Sequence, residues 1–222
     1  MDSQKVGLCM IKIMLVDDHE LVRTGVRRLL EDNPDLEIVG EACSGEEAIS
    51  LIKEVDPDVV LMDLNMPGIG GLETTRKIKY LTPNIRIIIV TMVDDTMFPQ
   101  RLLKAGASGY LTKGAKVDEI MLAIRSVMVN KRYISPELAL KMATSVDDDK
   151  SPFEGLSERE LQVLMMLMEG QRVTEISNSL FISPKTVSTY RSRLHDKLGV
   201  KTDIELTRLA IEHGIISGNS KL

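Results

Sequence analysis

Apolar residues along the first 130 positions come in short runs separated by amphipathic stretches. The runs IKIMLV (11–16), LEIVGEA (36–42), DVVLMD (58–63), IRIIIVT (85–91) and SGYLT (108–112) have the length and aliphatic character of strands. Between them, positions 19–32, 45–55, 71–81, 95–106 and 116–129 carry apolar residues at helical spacing. Strict alternation of strand and helix predicts five β-α units, hence a parallel sheet with right-handed crossovers and helices on both faces. In such a doubly wound α/β domain, sites form just beyond the carboxyl ends of the strands.

The pattern changes after position 130. A short helix is expected over 135–143, where Ser135 precedes Pro136, followed by the acidic stretch TSVDDDKSPFEG, which reads as a linker at 144–155. From Leu156 the strand signal ends, and four helices are expected at 157–169, 173–181, 184–198 and 203–213. Ser157 with Glu160 three residues on forms a capping box, Gly170 stops the first helix, and Ser183 with Pro184 opens the third. The organisation is therefore an α/β domain at 10–130, a linker helix and acidic linker at 131–155, and an all-α domain at 156–216.

Composition narrows the class. With 222 residues, 43% hydrophobic and 27% charged, the chain has enough apolar material for two cores. No stretch reaches the roughly 18 consecutive apolar residues of a membrane span, so a cytoplasmic protein without a membrane partner is expected. Cys9 and Cys43 have no metal-ligand spacing and are read as reduced thiols. The net charge is -5, but residues 156–222 hold 9 Lys and Arg against 8 Asp and Glu. Between Lys185 and Lys201, the cations Lys185, Arg191, Arg193, Lys197 and Lys201 face only Asp196. That segment is a candidate for phosphate contact.

Chemistry concentrates at the predicted strand ends. Asp17 and Asp18 follow the first strand and Asp63 closes the third. Three converging carboxylates repel one another, and a hard divalent cation, Mg²⁺, relieves this best. Thr91 ends the fourth strand and Lys113 follows the fifth. A hydroxyl and an ammonium beside a metal-bound carboxylate suit a phosphoryl group held on that carboxylate, with Asp63 as nucleophile. Taken singly, each residue also fits a helix cap or a solvated charge; their ordered occurrence at successive strand ends favours a site.

The strings LVDDH, DLNMPGIGG and GYLTKG, in this order, resemble the receiver domain of bacterial two-component response regulators over about residues 10–130. The resemblance implies a flavodoxin-like domain with Asp63 as phosphoacceptor. It implies Mg²⁺ held by Asp17, Asp18, Asp63 and the backbone carbonyl of Asn65. Thr91 and Lys113 would hold the phosphoryl oxygens, and Tyr110 would be an aromatic switch that turns inward on phosphorylation. The donor would be a sensor histidine kinase or its phosphotransfer domain. The rivals are a phosphohydrolase and a pure protein-interaction receiver; the first would need a second acid two residues beyond the nucleophile, where Asn65 stands, or a separate substrate pocket, and the second would have no use for the helical tail. We therefore expect no enzyme.

In the second half, VTEISNSLFISPKTVSTYRSRLHDKLGV reads as a helix-turn-helix, held by Ile176, Leu180, Val187, Leu194 and Leu198. From the basic run alone, a helical bundle with a merely solvated polar face fits equally. The wider string LSERELQVLMMLMEGQRVTEIS…LFISPKTVSTYRSRLHDKLGV resembles the DNA-binding domain of the NarL/FixJ (LuxR-type) regulators over about 156–214. By this resemblance Ser188, Thr189 and Ser192 touch bases. Lys185, Arg191, Arg193, Lys197 and Lys201 contact phosphate, with Tyr190 against the backbone. The last helix has two apolar faces, Ile204 with Ile211 and Leu206 with Leu209 and Ala210; the latter set is assigned to a homodimer on a two-fold related DNA site. A helix packing wholly on its own domain is the alternative. TVSTYRSRL looks like the GacA/UvrY/LetA branch, which activates small regulatory RNAs; another NarL/FixJ branch with different target genes is the alternative.

Overall fold

The computed structural model describes residues 10–91, 97–136, 139, 140, 152–213 and 215. Most of the expected helix at 135–143, the linker from 144 to 151 and the N-terminal residues 1–9 lie outside them. The order is β1 (Ile11–Val16), α1 (Glu20–Glu31), β2 (Leu36–Ala42), α2 (Gly45–Val55), β3 (Val59–Asp63), α3 (Gly70–Leu81), β4 (Arg86–Thr91), α4 (Met97–Lys104), β5 (Gly109–Thr112), α5 (Val117–Met128) and β6 (Tyr133–Ile134). A 3₁₀ turn at Pro152–Gly155 then leads to α6 (Glu158–Met168), α7 (Val173–Ser179), α8 (Pro184–Leu198) and α9 (Asp203–Glu212).

All strand pairs are parallel, in the order β2-β1-β3-β4-β5-β6. The sheet thus has six strands where five were expected. The sixth is two residues long, too short for a period-2 signal, and pairs Tyr133 and Ile134 with Gly109 and Tyr110. Alternation sorts the strand residues between the faces. Met14, Val16, Val60, Met62, Ile87 and Ile89 enter one core cluster, and Ile13, Leu15, Val59, Leu61 and Ile88 the other. β3 is buried along its whole length, as a central parallel strand must be. Its last residue, Asp63, therefore reaches the site at 3% exposure.

Backbone at the carboxyl edge is tightly constrained. A Cβ on Gly71 would stand 2.1 Å from the Asp63 carbonyl oxygen, so only glycine lets α3 begin directly against the end of β3. The Gly71 N–H donates to the Leu64 carbonyl at 3.0 Å, closing the loop that carries Asn65 and Gly68.

In the helical domain the expected caps form. Ser157 and Glu160 make the reciprocal capping box of α6, and Ser183 accepts from the Thr186 N–H with Pro184 in the first turn of α8. Helix α7 stops at Ser179, two residues before the expected end, because Phe181 takes φ +52 in the turn. Val187, Leu194, Leu206 and Ala210 are fully buried and join α8 and α9 to α6.

Glu160, 3% exposed, accepts from the Ser157 N–H (2.7 Å), the Ser157 hydroxyl (2.8 Å) and Lys197 Nζ (2.7 Å). Burial works against its charge, but Lys197 and Ser157 together hold its pKa below the ordinary value. A depressed carboxylate pKa adds stability above the unfolded-state value, and that stability is lost as pH falls through the folded-state value. Lys197→Ala leaves this carboxylate buried without its cation. The helical domain should lose about 2 kcal/mol in urea unfolding at neutral pH, less than for a fully buried pair because Lys197 keeps some hydration. The deficit should shrink once Glu160 is protonated in acid.

Candidate phosphoacceptor pocket and nucleic-acid interface

Topology brings Asp17 and Asp18 after β1, Asp63 at the end of β3 and Lys113 after β5 to one sheet edge. Lys113 Nζ lies 2.7 Å from Asp17 Oδ2 and 3.0 Å from Asp63 Oδ2, so one ammonium ties two nearly buried carboxylates. Asp63 Oδ1 also accepts from the Asn65 N–H at 3.3 Å. Burial raises the Asp63 pKa above the usual carboxylate range and Asp17 adds to this, while Lys113 and the Asn65 N–H oppose it. Burial also works against the charge on Lys113, but its bonds to Asp17 and Asp63 hold its pKa above the ordinary lysine value.

The acidic residues fit a cation. Ligand atoms of Asp17, Asp18, His19 and Asp63 lie within 4.8 Å of one another. Asp18 Oδ1 is buried and accepts no hydrogen bond among the described residues, although His19 Nδ1 stands 3.0 Å away. A buried acceptor without a donor, beside two further carboxylates, is what a hard cation satisfies. His19 is a neighbour that sequence reasoning passed over; its position inside LVDDH was the available signal.

Thr91 closes β4 at this edge, and its side chain lies outside what is described. Tyr110 is 1% exposed in the core cluster that includes Ile87, Ile89 and Leu102. The ring is thus enclosed in this conformation.

The helical domain closes over this edge. Gly68, in the loop after Asp63, donates its N–H to the Ser179 carbonyl at 2.7 Å. Its carbonyl accepts from Arg159 Nη1 at 2.7 Å, and Arg159 Nη2 donates to the Leu180 carbonyl at 2.8 Å. Gln162 reaches the Met66 carbonyl at 3.3 Å, Arg76 pairs with Glu158, and Arg101 donates to the carbonyls of Phe153 and Leu156. The α/β domain therefore holds α6 and the end of α7.

The outer face of α8 is not covered. Lys185, Ser188, Thr189, Ser192, Arg193 and, beyond the helix, Lys201 are exposed, and Tyr190 is half-buried with Arg193 stacked 6.0 Å from its ring centre. The hydroxyls of Ser188 and Thr189 donate to the carbonyls four residues earlier, leaving their oxygens as acceptors on the outer face. Two expected phosphate contacts are engaged elsewhere. Arg191 forms a two-point pair with Asp203 at 2.8 and 2.6 Å, and Lys197 is tied to Glu160. Among the described residues, the cations of this segment free of ion pairs are Lys185, Arg193 and Lys201.

The assignment of Leu206, Leu209 and Ala210 to a dimer face is also corrected. Leu206 and Ala210 are 0% exposed and Leu209 packs against the same core, whereas Ile204 is 81% and Ile211 44% exposed. The helix spends its first apolar set on its own domain and leaves the second outside.

Comparison with known proteins agrees with this two-part construction. Residues 13–125 match the response regulator receiver domain, and residues 154–210 match the bacterial regulatory proteins of the luxR family. The chain is 48% identical to response regulator GacA of Pseudomonas aeruginosa over 214 residues, spanning 95% of this chain and 100% of that one. It is 50% identical to response regulator UvrY of Escherichia coli over 214 residues, spanning 95% and 98%. Among solved structures, RcsB of Salmonella typhimurium matches at 27% identity and a TM-score of 0.72, covering 92% of this chain and 98% of that one. A second RcsB structure, bound to promoter rprA with the phosphomimetic BeF3-, matches at 28% identity and 0.68, covering 90% and 98%. No helix among the described residues is long and apolar enough to cross a membrane. The chain belongs to the two-component response regulators that join a receiver domain to a LuxR-type DNA-binding domain.

Proposed function

We propose that Asp63 is the phosphoacceptor of this response regulator, and that its phosphorylation by a sensor histidine kinase or phosphotransfer domain controls DNA binding by α8. The observation that carries the reading is the position of Lys113, bridging Asp17 and Asp63 at the carboxyl edge. The Asp63 carboxylate attacks phosphorus, and the pair of electrons in the broken bond leaves with the donor. Lys113 then faces a phosphoryl oxygen, and the family resemblance assigns another to Thr91. Mg²⁺, held by Asp17, Asp18, Asp63 and the Asn65 carbonyl, would offset the charge of the phosphoryl group.

On DNA, Ser188, Thr189 and Ser192 face base edges while Lys185, Arg193 and Lys201 meet phosphates. Two copies pair on a two-fold related site, with the exposed Ile204 and Ile211 available to a neighbour. High identity with GacA and UvrY along nearly the whole chain supports a place in that branch, with small regulatory RNAs among the transcribed targets. The protein works in the cytoplasm.

The cation part is tested by Asp18→Asn. Binding of Mg²⁺ measured by calorimetry should weaken at least about tenfold, because one anionic oxygen ligand becomes a neutral amide. Unchanged affinity would remove Asp18 from the ligand set. Mapping bound sites across the genome, with and without the kinase, tests the target class.

A further inference from the structure

The cavity above Asp63 is built by both domains. It holds about 370 Å³ and is walled by Asp18, Asp63 and Lys113 from the receiver and by Met166, Glu169 and Gln171 from the helical domain. The domain that reads DNA thus places a carboxylate in the approach to the phosphoacceptor. Glu169 is the first residue after α6, and the hold of Arg159 and Gln162 on the Gly68 loop fixes that helix over the site.

The charges in this cavity are lopsided. Lys113 is already shared by Asp17 and Asp63. Glu169 has the Gln171 amide at 3.1 Å and no ion pair among the described residues. Its outer side is open to solvent, yet burial raises its pKa above the ordinary value; the Gln171 amide and His19 oppose this, and Asp63 and Asp18 add to it. A carboxylate so placed is repelled by any further negative charge that arrives at Asp63.

We propose that Glu169 is a specificity-determining residue for phosphoryl transfer to Asp63, discriminating across the domain boundary against strongly anionic small-molecule donors. The inference rests on Asp63 being the acceptor. With acetyl phosphate, Asp63 attacks phosphorus, the bond from phosphorus to the acetyl oxygen breaks, and acetate leaves with the electron pair. With phosphoramidate, the bond to nitrogen breaks and ammonia leaves. At neutral pH the first donor is a dianion and the second carries one net negative charge, so Glu169 opposes the first more. By linkage, the phosphoryl group once formed disfavours the closed arrangement by the same repulsion.

The test uses the full chain as wild type, Glu169→Gln, Glu169→Asp and Glu169→Lys, with phosphorylated fraction followed by intact-mass spectrometry. Glu169→Gln should raise the acetyl phosphate rate about fivefold at low ionic strength and the phosphoramidate rate less, so the ratio of the two rises. Glu169→Lys should raise it further, Glu169→Asp should restore it towards wild type, and added salt should shrink every difference. A ratio unmoved by Glu169→Gln overturns the inference, as does an equal change for both donors, which would mark a packing effect. If Glu169→Lys fails to fold, the Gln and Asp variants decide. Peptide mapping separates the two levels: labelling at Asp63 with an unmoved ratio sinks the Glu169 inference alone, whereas no labelling at Asp63 in wild type sinks the reading beneath it.

Discussion

Asp63→Asn should take up no phosphoryl group from either a kinase or acetyl phosphate, a loss of at least about 10³-fold in rate. The amide has no anionic oxygen to attack phosphorus, and no neighbouring carboxylate occupies the end of β3, the innermost position of the pocket. Asp17 and Asp18 stand beyond the end of β1, where they are suited to a cation. The same substitution should leave the receiver as stable as wild type or more so at neutral pH. Burial raises the Asp63 pKa, with Asp17 adding and Lys113 and the Asn65 N–H opposing. A raised carboxylate pKa means the ionised form weakens the fold above that pKa, and a neutral amide removes the penalty. Urea unfolding without Mg²⁺ beside an assay of phosphoryl uptake checks both. Loss of uptake with intact stability is the expected pair, and persistent labelling of Asp63→Asn would refute the assignment.

The second large effect lies on DNA. Replacing Lys185 and Arg193 together by alanine should weaken binding to a selected duplex by about 10- to 100-fold near 0.1 M salt and reduce the salt slope by about 2. Both cations are exposed and free of ion pairs among the described residues, so each is available to displace a counterion from phosphate. Lys197→Ala should leave the slope nearly unchanged, because its ammonium already serves Glu160. Anisotropy titrations over a salt series distinguish them. An equal loss of slope in Lys197→Ala would mean that this pair opens on DNA and that the segment acts only as a diffuse positive patch.

The contrast between Lys197 and Arg193 shows where sequence stops. Both stand in one basic run, and only the helical phase seen against α6 turns one inward. The last helix behaves alike: its two apolar faces were visible, but which one the domain needed depended on where α6 and α8 lie. Strand ends and caps were legible because they are local. Val59 to Met62 form a fully apolar run that stops at the carboxylate of Asp63, and Ser157 with Glu160 is a three-residue spacing. β6 escaped because two residues carry no period. The clasp between Gly68 and Arg159 escaped because its partners are 91 positions apart and each is an ordinary polar or loop position in its own segment.

That clasp changes the account of the switch. In the closed arrangement the receiver holds α6 and α7 while the recognition face of α8 stays open. Closure therefore limits where the DNA-binding domain can sit, which matters when two copies must lie on adjacent half-sites at fixed spacing. With Asp63 as the proposed acceptor, a phosphoryl group there would bring its charge next to the loop that carries the clasp and into the cavity beneath it.

The most direct measurement compares DNA affinity of the full chain, phosphorylated and unphosphorylated, on a duplex with two half-sites and on one with a single half-site. Phosphorylation should tighten binding to the paired site by about tenfold or more and leave the single site nearly unchanged. Equal affinity of the two forms for the paired site would contradict control of DNA binding by Asp63.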